Sequence, residues 1–236
     1  MQEQGYVRDC DFAYAERAGN GIVDAARVAE ETVQLKPDII IATSTLEAVA
    51  AKNATSTIPI ICPALADAVH LGLIASEARP GGNVTGIEPY IGGLPAKQIE
   101  LAREIVPGAR KIGLLTNNGD SKGPPQVSEL KAAAQALDLE IVSADVDRPE
   151  AIEAALRTLA KEEVDVAIVL QTSLLIVNRL PIARSALQKR LPTVFGYRAH
   201  VLDGGLISYG VDLRWCYHRA AYFAVKLLGG RRARRR

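Results

Sequence analysis

The chain has 236 residues, 48% hydrophobic and 23% charged, a balance that excludes a globally disordered polymer and suffices for one large α/β domain or two smaller lobes. Its 28 Lys and Arg offset 27 Asp and Glu to leave +1, so no net field exists to hold nucleic acid or an anionic membrane. The longest apolar runs, at 38–42 and 164–170, fall far short of the roughly 20 residues that a membrane-spanning helix needs.

A strand is expected at 11–16, then Gly19-Asn20-Gly21 and a helix over 22–35 whose Val23, Ala26, Val28, Ala29 and Val33 recur at helical spacing, stopped by Lys36-Pro37. The pattern repeats with a strand at 38–42, a Thr43-Ser44-Thr45 cap, a helix over 46–54 and a strand at 58–62. A short helix is expected after Asp67, carrying Val69, Leu71, Leu73 and Ile74. Arg79-Pro80-Gly81-Gly82 then breaks it, and 83–87 runs extended.

The alternation restarts with helices over 94–105, 125–137, 149–161 and 174–189, the last despite Pro181, interleaved with strands at 111–116, 139–144, 164–170 and 193–197. Gly204-Gly205 turns the chain into a strand at 206–209, and a last helix covers 213–228. Strands buried on both faces and alternating with helices predict parallel, doubly wound sheets in two Rossmann-like lobes. The lobes are expected at 1–88, joined by 206–230, and at 89–205, with 231–236 a solvated basic tail.

Several chemistries fail on spacing. Gly19-Asn20-Gly21-Ile22-Val23-Asp24 puts a carboxylate where a dinucleotide fingerprint needs a small residue, and reads as a plain turn. Walker A, G-x-S-x-G and H-E-x-x-H spacings are absent. His70, His200 and His218 lie far apart and read as structural or surface residues. Cys10, Cys62 and Cys216 form neither a disulfide framework nor a zinc site, and Cys62 with Asp67 and His70 reads as packing rather than a thiol site. No metal or cofactor is expected, and no catalysis.

What remains are polar residues at the carboxyl ends of apolar strands, where open α/β sheets take ligands. Thr43, Ser44 and Thr45 reach a helix N-terminus suited to a carboxylate, with one of them also capping its own helix. Asp67 and Asp212 follow strands and serve either as partners of a ligand amine or as N-caps. Asn117, Asn118, Gln171, Thr172 and Tyr197 add acceptors, donors and an aromatic face, suited to a small zwitterion and unsuited to acid–base work.

GYV at 5–7, IIIATSTLEAVAAKNAT at 39–55, IPI at 58–60, HLGLIASEARPGGNVTG at 70–86 and GGLISYGVDL at 204–213 resemble a known family. It is the substrate-binding proteins of ABC importers, which include binders of tryptophan and other aromatic amino acids. The resemblance extends to about Gly230, and RPGGNVTG is its most specific run. It implies a type I periplasmic-binding fold that captures a small ligand between two lobes by closure, with no bond made or broken. By position, it implies that Ser44 and Thr45 hold the ligand carboxylate, Asp67 and Asp212 its ammonium group, and the second-lobe residues its other side.

The family also implies an ABC permease as partner and a periplasmic location. MQEQGYVRDC does not read as a secretory leader, so the chain as written would stay in the cytoplasm. Asp67-Ala68 replaces the common Asp-Pro, and Gln171-Thr172-Ser173 departs from the usual acidic and aromatic wording, which leaves the ligand open. Set against the family pattern, the first strand of the first lobe is expected to be missing, and the arginine tail to replace a final crossing segment. That reading is of a truncated relative. The rival readings are the ligand-sensing domain of a transcriptional regulator, which would add a helix-turn-helix, and a racemase-like or nucleotide-dependent α/β enzyme, which would need a paired nucleophile or a phosphate loop.

Overall fold

The computed structural model describes residues 5–19, 21–89 and 92–232, with backbone alone for 21, 22 and 230–232. The chain divides into two compact units, Met1–Pro89 with Arg214–Arg236, and Tyr90–Leu213.

In the first unit, helix α1 (Gly21–Gln34) ends where Lys36 takes a left-handed φ of 50° ahead of Pro37. Strand β1 (Ile40–Ile41), helix α2 (Thr45–Ala54), strand β2 (Ile60–Cys62) and strand β3 (Val84–Gly86) follow. The strands pair in parallel in the order β1-β2-β3, Ile40 opposite Ile60 and Ile60 opposite Val84. Ile40, Ala48, Ala51, Ile60, Leu65, Leu73 and Val84 form one core. Ala220 and Ala224 of helix α9 (Leu213–Arg232) form another with Ile61.

Two expected elements of this unit are not there. Residues 13–19 are irregular and exposed, and Phe12 forms only an isolated bridge with Arg8. The Asp11 carboxylate accepts the Val7 N–H at 2.8 Å and closes a turn, while alternating Phe12 and Tyr14 have no ladder to join. Residues 67–74 are turns rather than a helix, held between left-handed Asp67 (φ 53°) and Gly72 (φ 65°). The Lys52 ammonium of α2 satisfies the carbonyls of Gly72 and Leu73 there. Within RPGGNVTG, the Asn83 amide donates to the carbonyls of Thr55 and Ile58, both at 2.9 Å, so the most family-specific run pins the entry to β2.

The second unit comprises helix α3 (Leu94–Ile105), strand β4 (Lys111–Thr116), helix α4 (Gly123–Ala136), strand β5 (Glu140–Asp145), helix α5 (Ala151–Lys161) and strand β6 (Val166–Val169). Helices α6 (Ser173–Val177) and α7 (Arg179–Gln188), strand β7 (Thr193–Tyr197), helix α8 (Arg198–Leu202) and strand β8 (Ile207–Val211) complete it. The five strands are all parallel, in the order β5-β4-β6-β7-β8. Ile112, Leu114, Val166, Ile168, Val194 and Phe195 lie in a single core with Ile99, Leu130, Leu156 and Ile182 from the helices.

The helix expected over 174–189 is broken at Asn178, and the break puts Pro181 in the first turn of α7, where its missing N–H costs no hydrogen bond. Strand β8, read from sequence as the return to the first lobe, bonds to β7 instead, so the division falls between Leu213 and Arg214.

Candidate functional site

In the first unit the carboxyl end of β1 delivers three hydroxyls in succession. Ser44 is the N-cap of α2, its Oγ accepting the Glu47 N–H at 3.3 Å. The Glu47 carboxylate turns back to accept the Thr43 N–H at 2.6 Å and the Thr43 hydroxyl at 2.7 Å, a capping box whose return arm reaches one residue further than usual. Buried Thr45 accepts the Ala66 N–H at 2.9 Å and so ties the start of α2 to the chain leaving β2.

Asp67 lies on that same exit. It is exposed, caps no helix, and its N–H donates to Glu88 Oε1 at 2.9 Å. Glu88 follows β3, so Asp67 and Glu88 bring two carboxylates to the strand-end side of this sheet. Tyr217, in the first turns of α9, has its phenol raised above the ordinary value by partial burial, then by the Cys62 thiol and the Glu47 carboxylate. Cys62 itself is fully buried, whereas His70 is exposed on the turn after Asp67.

In the second unit the strand order runs outward from β4, to β5 on one side and to β6 on the other, which makes the carboxyl ends of β4 and β6 a topological switch point. Asn117 is buried there, its amide donating to the Val146 carbonyl at 2.5 Å. Exposed Asn118 donates its N–H to Asp145 at 2.8 Å.

Gln171 is held on all sides. Its N–H donates to Gln126 Oε1 at 2.9 Å, its carbonyl accepts Gln126 Nε2 at 3.1 Å, and its own Nε2 donates to the Gly196 carbonyl at 2.6 Å. A Cβ at Gly196 or Gly210 would collide with the Gln171 side chain, so two glycines make room for this brace. Next to it the Thr172 hydroxyl is fully buried without a hydrogen-bond partner.

Asp120 accepts the Ser173 N–H at 2.7 Å and the Lys122 N–H at 3.0 Å, with the buried Lys122 ammonium 3.8 Å from its Oδ2. Tyr197 is buried at the end of β7 with its ring parallel to that of His200, centroids 6.3 Å apart. Asp212 follows β8, its Oδ2 3.7 Å from Arg198 Nη1.

Each candidate residue thus sits at a strand end of its own unit, and the structure separates their duties. Asn117, Asn118 and Gln171 spend polar atoms on the fold, Ser44 and Thr45 use their hydroxyl oxygens as acceptors and keep an O–H to donate, and the Asp67 carboxylate stays at the surface. Glu47, Glu88, Asp120, Lys122, Gln126 and Arg198 were not among the expected residues. Ser44-x-x-Glu47 is a readable capping signal, but the others are assembled by topology. Among the described residues no cluster of His, Cys, Asp and Glu could hold a metal, and no helix is long and apolar enough to cross a membrane.

Two parallel α/β units with polar groups gathered at strand carboxyl ends have the architecture of the type I periplasmic-binding fold. A family model described as ABC transporter substrate binding protein matches residues 1–235, and the chain belongs to that family. It is 32% identical over 234 residues to a tyrosine-binding protein of Clostridioides difficile (strain R20291), covering 98% of this chain and 66% of that one. The chain therefore spans just under two thirds of the length of that curated relative.

A conserved domain protein of Vibrio cholerae superposes with a TM-score of 0.87 at 25% identity, over 97% of this chain and 77% of that chain. An ABC domain from Streptococcus pneumonia in complex with L-Trp superposes with a TM-score of 0.82 at 24% identity over the same shares, and so shares the fold.

Proposed function

We propose that the chain is the solute-binding component of an ABC importer and binds an aromatic amino acid reversibly through strand-end residues. The similarity to a tyrosine-binding protein along almost the whole chain carries this reading. The local chemistry supports it. An amino-acid ammonium group needs acceptors, which Asp67, Glu88 and Asp212 supply, and a carboxylate needs donors, which the hydroxyls of Ser44, Thr45 and Thr172 supply. Tyr217, partly exposed, is an aromatic surface for a ring. Binding without turnover, hand-over to a permease and a periplasmic location belong to the same proposal.

Calorimetric titration of the full chain with L-tyrosine, L-tryptophan and L-phenylalanine tests it. Binding of at least one is expected, with an aliphatic amino acid weaker. Asp67→Ala or Asp212→Ala should weaken binding about tenfold or more, the worth of a charge-assisted hydrogen bond. Binding unchanged in both variants would sink the assignment of the ammonium partners, and no binding of any amino acid would sink the function.

A further inference from the structure

The net charge of +1 conceals a division. From Leu213 to Arg236 the sequence holds eight of the 28 basic residues and none of the 27 acidic ones, which leaves the rest of the chain at −7. Five of the eight lie in the sequence of α9, whose Cys216, Ala220 and Ala224 are buried at four-residue spacing. At about 100° per residue the opposite face carries Trp215, Arg219, Tyr222 and Lys226.

Trp215 is 60% exposed. The Arg219 guanidinium lies 4.8 Å from the Tyr222 ring centroid and 5.5 Å from that of Phe223, and the Lys226 ammonium lies 4.6 Å from Tyr222. Neither cation forms an ion pair with a carboxylate among the described residues. The sequence then adds Arg231, Arg232, Arg234, Arg235 and Arg236.

We infer that α9 docks the protein on an anionic phospholipid surface. Cations along a helix face that also exposes Trp215 match the two attractions of a bilayer interface, headgroup charge and burial of amphipathic rings. Nucleic acid fits less well. Base stacking needs open aromatic faces, and the Tyr222 ring is already covered by Arg219 and Lys226. The surface is independent of the amino-acid site, because none of the proposed ligand contacts lies on this face.

Trp215 is the chain's single tryptophan, so its emission reports on this surface directly. The full chain is titrated with vesicles of phosphatidylglycerol in phosphatidylcholine and with phosphatidylcholine alone. The expected result is a blue shift and co-sedimentation with the anionic vesicles only, both reversed by salt. Joint Arg219→Gln and Lys226→Gln substitution should weaken partitioning roughly tenfold or more, and joint Arg234→Gln, Arg235→Gln and Arg236→Gln, which lowers the positive charge of the same stretch of sequence, should act in the same direction. Emission unmoved by phosphatidylglycerol, equal binding to neutral vesicles, or tighter binding to an oligothymidylate than to the vesicles at the same salt would each overturn the inference.

Discussion

His200 shows what a single residue gains and pays by burial. The ring is wholly buried, stacked 4.7 Å from Phe195, with Nδ1 3.3 Å from the Tyr197 carbonyl. Desolvation lowers its pKa from 6.5 to about 4, opposed by the carbonyls of Tyr197 and Leu175. The native ring is therefore neutral through the window in which the unfolded chain takes up a proton. Stability is full above about pH 6.5 and falls as the pH drops towards 4, by roughly 3 kcal/mol at the low end. Urea denaturation at about pH 7.5 and about pH 4.5 should show this loss, and His200→Gln should flatten it. Equal pH slopes for the variant and the parent would refute the assignment.

At the scale of elements, the Gln126–Gln171 pair matters most, because it joins α4 to the strand ends of β6 and, through Gly196, β7. Gln126→Ala strands the buried N–H and carbonyl of Gln171 and should cost about 2–3 kcal/mol in chemical denaturation. A loss below about 0.5 kcal/mol would mean that water replaces the amide. Nothing in the sequence announces this pair, since its members stand 45 residues apart and only the parallel crossover brings them together.

Elements with their own signals were legible. Strands β4 and β7 and helix α3 fall where an apolar run or helical spacing puts them. Short elements were not. Helix α8 has five residues, too few to show a period, and the apolar residues of 67–74 divide between buried Leu73 and half-exposed Val69, which no helical face requires. The same contrast holds at the candidate site. Strand ends were readable as locations, but which polar atoms the fold would claim depended on partners far along the chain.

Across the whole molecule the two units differ in how firmly they are built. The first has strands of two or three residues and the second strands of four to six, on a larger core. Hydrogen exchange of the full chain should therefore find the amides of β4, β6 and β7 slowest and those of β1 to β3 faster by at least tenfold. Uniform protection across both units would argue for a single cooperative block.

The brace around Gln171 sets a limit on how selectivity can drift. Asn118 and Arg198 border the same strand ends with exposed side chains, so exchanging them alters the polar rim of this sheet and leaves the scaffold intact. Gln171 cannot be traded alone, because two glycines on neighbouring strands are cut to its outline. Variation among descendants should gather at the former and stall at the latter, with Gly196, Gly210 and Gln171 changing only in concert.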